Sequence, residues 1–72
     1  MQALSEAEKR TLDELKTVKL ESIWGIVISN VVKDIDPYKF RYLICELKSQ
    51  AADAPDCMKQ ILGPAYESVI NL

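Results

Sequence analysis

The sequence predicts an all-α fold, a single helical domain of about four short helices spanning residues 1–72. Three observations carry that expectation. Apolar residues recur at three- and four-residue spacing along most of the chain, the periodicity of one helix face. Acidic or hydroxyl side chains stand where helices should start, at Ser5, Asp36 and Asp53. Three Pro and two Gly are too few for a loop-rich or disordered chain.

The first helix is announced by LSEAEK. Ser5 followed three residues later by Glu8 is a capping box, in which each side chain satisfies the other residue's backbone N–H. Leu12, Leu15 and Val18 form a narrow apolar edge on an otherwise charged segment. Glu6 with Arg10 and Asp13 with Lys16 can support it locally by a few tenths of a kcal/mol.

Leu20, Ile23, Trp24, Val27 and Val31 make a second stripe, predicting a helix over 20–33. At 100° per residue it points nearly opposite to the first stripe. The chain therefore either breaks around residues 17–20 or runs as one long helix between two partners. The β-branched Thr17 and Val18 favour the break. Ile26, Ile28 and Val32 lie off the stripe, so this segment is apolar nearly all round, the pattern of a buried central helix. Its IVI and VV runs leave a strand as the competing assignment. Gly25 beside Trp24 would let a neighbouring backbone come close.

DIDPYKF marks the clearest boundary. Asp36 can cap, and Pro37 suits a first helical position, where its missing N–H is not needed. The helix should run to about Gln50, with Phe40, Leu43, Ile44, Leu47 and Ala51 facing inward. AADAP then reads as a turn, with Asp53 repeating the cap ahead of Pro55. In the last segment Met58, Ile61, Leu62, Ala65, Val69 and Leu72 hold one helical phase across Gly63-Pro64. That continuity favours one helix kinked there over two unrelated ones.

The third helix carries more apolar surface than a core face needs. Tyr38, Tyr42 and Cys45 recur at i, i+4, i+7 on the side away from Phe40 and Leu47. Tyrosines of this kind can lie over neighbouring side chains with their hydroxyls in water. They can equally form a contact surface, since Tyr brings a large rigid area and a polar tip to interfaces. A chain of 72 residues buries only about 60% of the surface its unfolded form exposes. With 49% hydrophobic residues, association is the expected compensation. Tyr38, Tyr42, Cys45 and Trp24 are accordingly the expected partner-binding residues, toward a second copy or a larger protein.

Chemistry finds little footing. The chain contains no His, which removes the usual general base and the commonest metal ligand. No catalytic, cofactor or metal residues are expected, and no enzyme. Cys45 and Cys57 flank the AADAP turn; a bridge is conceivable, but reduced structural thiols are the default. Neither sits in a C-x-x-C pair, and Cys57 near a helix start is only a weak thiol candidate. The acidic pairs Asp34–Asp36 and Asp53–Asp56 are explained by capping and helix dipoles.

The net charge of −2, with signs interspersed, offers no phosphate-binding footprint. Lys39, Arg41, Lys48 and Gln50 provide only a thin version of a recognition helix. The N-terminal stretch has no apolar core of a signal peptide, and the longest apolar run is about ten residues against the about 20 needed to span a bilayer. The expectation is a cytoplasmic, non-enzymatic interaction protein (adaptor, inhibitor or regulator) that acts through an apolar, tyrosine-bearing helical face as a homodimer, with a helix-turn-helix nucleic-acid-binding regulator as the alternative.

Overall fold

The computed structural model describes residues 3–18, 21–34 and 36–72. The fold is all-α, as expected. Five helices follow one another: α1 (Glu6–Leu15), α2 (Ile23–Asp34), α3 (Pro37–Asp53), α4 (Pro55–Leu62) and α5 (Ala65–Ile70). The longest, α3, lies in the middle and touches α2, α4 and α5, while α1 closes the bundle against α5 and α2.

Local chemistry sets the ends. Ser5 Oγ accepts from the Glu8 N–H at 3.2 Å and Glu8 Oε1 from the Ser5 N–H at 2.9 Å, so the capping box forms in full. Such a cap is worth about 1 kcal/mol. Beyond Leu15 the N–H groups of Thr17 and Val18 reach back three residues, at 3.0 and 3.2 Å, and the helix tightens and stops. The break expected near residue 18 is therefore present, although Lys19 and Leu20 lie outside the described residues. Asp13 and Lys16 pair at 3.2 Å as expected, whereas Glu6 lies 4.0 Å from Lys9 rather than with Arg10.

Asp36 caps α3, accepting from the Tyr38 N–H at 2.9 Å, and Pro37 opens the helix. Every inward residue anticipated on α3 is buried: Phe40, Leu43, Ile44, Leu47 and Ala51. The corner into α4 differs from expectation. Asp53 is the last residue of α3, and the cap position of α4 belongs to Ala54, which offers no side-chain bond. The ring of Pro55 excludes the helical region for the residue before it, so Ala54 turns the chain, at φ −140°, ψ 70°.

The kink at Gly63-Pro64 opens into a break. Gly63 takes φ +58°, ψ −128°, a conformation L side chains rarely adopt, and α5 restarts after Pro64. The apolar phase nevertheless runs across it: Met58, Leu62, Ala65 and Val69 are all buried.

The place of α2 is the main correction. Its core face is Gly25 and Ile28, which border Leu15 and Val18 of the first helical region. Of the second stripe, Ile23 is 81% exposed and Val27 is exposed, while Trp24 and Val31 are half-buried and pack at the edge of the core. Leu20 lies outside the described residues. The central position falls to α3. Since α2 is apolar on both sides, burying either face satisfies its periodicity. The narrow side of Gly25 and Ile28 is the one that meets α1.

Candidate functional site: an apolar groove between α2 and α3

With α2 turned this way, its outer face and that of α3 form one surface. Between them runs a groove of about 450 Å³ with walls of Trp24, Val27 and Val31 on one side and Tyr38, Tyr42 and Leu43 on the other. Lys39 and Glu46 stand on its rim, seven residues or roughly 10 Å apart along α3. Ile23, one turn before Val27, is 81% exposed beside it, and the two tyrosines are 71% and 70% exposed; Ile26, 58% exposed, points roughly 100–160° away from the groove residues of α2. These side chains account for most of the large apolar groups left in water among the described residues. Scattered exposed apolar side chains are ordinary; here several stand next to one another on two neighbouring helices.

Three of the four expected partner-binding residues come together here: Trp24, Tyr38 and Tyr42. Cys45 does not. On α3 it is rotated about 60° from Tyr42, toward Arg41. It borders a separate depression with Ser5, Glu8, Arg41 and Lys48. Ile23 borders the surface yet had no place in the expected site.

Arg41 forms the tie between α1 and α3. Its Nε donates to Glu8 Oε2 at 3.0 Å, and Nη2 lies 3.3 Å from Glu8 Oε1 and 3.4 Å from the Ala3 carbonyl. The Arg41 hydrogen bond, helped by the Ser5 backbone N–H, holds the Glu8 carboxyl down to about 2. Arg41 is raised in turn by the Glu8 carboxylate. Lys39 pairs with Asp34 at 2.9 Å, and that carboxylate raises its ammonium. Two cations that sequence alone offered to a nucleic acid thus already face carboxylates. At the other edge of α1, the Ser68 hydroxyl donates to Glu14, joining α1 to α5. Neither long-range tie leaves a periodic trace in the sequence.

Cys45 and Cys57 are both free and exposed. Among the described residues no group of three or more His, Cys, Asp or Glu side chains could hold a metal ion, and no helix is long and apolar enough to cross a membrane. Comparison of the chain with protein-family models, curated proteins and solved structures finds no match in any of the three.

Proposed function

We propose that this chain is a non-enzymatic protein-interaction module, an adaptor, inhibitor or regulator, that acts by burying its α2–α3 face against another protein surface. One observation carries the reading. Four large apolar or aromatic side chains, Ile23, Val27, Tyr38 and Tyr42, lie exposed on two adjacent helices around a shared groove. Holding such groups in water costs about 25 cal/mol per Å² relative to burial, and a partner relieves that cost. Trp24, half-buried at the groove wall, supplies the kind of aromatic anchor on which interfaces concentrate their energy. Two unbridged, exposed cysteines support a reducing, cytoplasmic setting. The nucleic-acid alternative draws less support, since Lys39 and Arg41 are engaged by Asp34 and Glu8.

The test replaces Tyr38 and Tyr42 together by Ser, which cuts the face without touching a core side chain. Circular dichroism should show unchanged helicity. The wild-type chain, used as bait, should hold an identifiable protein that the variant releases, or should show a concentration-dependent mass by light scattering that the variant lacks. If neither bound protein nor mass responds to the double substitution, the face binds nothing and the reading fails.

A further inference from the structure

The geometry points to a second copy of this chain as the occupant of the α2–α3 face, joined about a two-fold axis with α3 antiparallel to its counterpart; this rests on the interaction reading above. Two observations select it. The first is area. Aromatic side chains carry about 150–250 Å² each, so two tyrosines about 70% exposed leave roughly 300 Å² uncovered. Ile23 and Val27 add roughly 200 Å². One copy therefore offers roughly 500 Å², and two copies on a self-complementary patch would bury about 1,000 Å². That lies at the lower edge of biological interfaces. The expected association is accordingly weak, with half-association near micromolar concentration.

The second is charge. An interface with two-fold symmetry brings every residue away from the axis against a different residue of the partner copy, and charges of opposite sign must exchange places across the axis. Lys39 and Glu46 stand at opposite ends of the groove rim. If the axis crosses α3 near Tyr42 and runs perpendicular to the helices, α3 packs on α3 and α2 on α2. Lys39 of each copy then faces Glu46 of the other, twice per dimer. The level of Tyr42 is also that of the apolar centre of α2, because Val27 and Tyr42 line the same groove. The parallel alternative sets α3 against α2 of the second copy and leaves Lys39 and Glu46 without this exchange. Lys39 can change partners readily, because its pair with Asp34 is between side chains 57% and 59% exposed.

Reversing charges tests the register. Light scattering and sedimentation of the wild-type chain should show the mass rising from 8.1 kDa to twice that value as concentration increases. Lys39→Glu alone and Glu46→Lys alone each set like charges together twice per dimer. Each should raise the concentration for half-association at least tenfold. The double variant Lys39→Glu/Glu46→Lys should return it to the wild-type range. An equimolar mixture of the two single variants should associate where each alone stays monomeric, since the mixed pair restores both contacts. Circular dichroism checks that every variant is folded. A wild-type chain that remains monomeric throughout overturns the second-copy occupant. Single variants that associate normally, or a mixture that does not recover, overturn the antiparallel register. If the chain stays monomeric yet releases a bound protein on Tyr38→Ser/Tyr42→Ser, the interaction reading stands and only this inference falls.

Discussion

Two isoleucines on one helix should respond to the same substitution in opposite ways. Ile28 is 1% exposed and Ile23 is 81% exposed, five residues earlier on α2. Ile28→Ala removes a buried side chain and leaves a cavity beside Leu15 and Val18, at a cost of about 2–5 kcal/mol. A folded chain of 72 residues holds only roughly 4–11 kcal/mol in total. The loss should lower Tm by about 10 °C or more. Ile23→Ala forfeits only the small buried fraction of its side chain. Alanine's better helix propensity, a few tenths of a kcal/mol, offsets part of that. The net change should stay within about 0.5 kcal/mol. Thermal melts followed by circular dichroism, on samples dilute enough to suppress association, separate the two cases. If Ile23→Ala costs as much as Ile28→Ala, α2 presents its other face to the core and the groove does not exist as described.

Three further predictions concern an ion pair, a turn and the helix caps. Glu8, held at about 2 against an ordinary 4.5, contributes stability that is complete above about pH 4.5 and lost as pH falls through 2. For a pair still partly in water this amounts to about 1 kcal/mol, and the stability gap between wild type and Glu8→Gln should close over that window; a gap constant down to pH 2 would contradict the Arg41 tie. Gly63→Ala meets no atom within 4 Å, so its cost is backbone strain alone, about 1–3 kcal/mol in a urea titration. A synthetic chain with D-alanine at 63 should be at least as stable as wild type, and equal losses for both enantiomers would contradict the positive φ. Asp36→Ala should cost about 1 kcal/mol by removing the acceptor for the Tyr38 N–H, whereas Asp53→Ala should be nearly neutral.

What could be read in advance was local. The capping box of Ser5 and Glu8, the Asp36-Pro37 start and the inward stripe of Phe40 to Ala51 each depend on neighbours within one or two turns. Their spacing therefore encodes them. The face of α2 could not be read that way. Its two apolar sides compete for the core, and the choice depends on how Gly25 and Ile28 meet α1. The tie of Arg41 to Glu8 spans 33 residues and appears only when α1 and α3 are placed together. Asp53 misled because capping grammar was repeated at a corner where the proline at 55 acts first, on Ala54. Cys45 shared the spacing of the tyrosines, yet a rotation of about 60° carried it to another surface.

The orientation of α2 and the covering of its outer face can be observed together, on isoleucine methyl groups. A soluble paramagnetic probe added to methyl-labelled protein should relax Ile23 and Ile26 strongly in dilute solution and leave Ile28 protected. As concentration rises through the micromolar range and above, protection should spread to Ile23 while Ile26 stays open. If the Ile23 methyl groups are shielded even at the lowest concentration, or stay open at every concentration, a face exposed on the single chain and covered by its twin is contradicted.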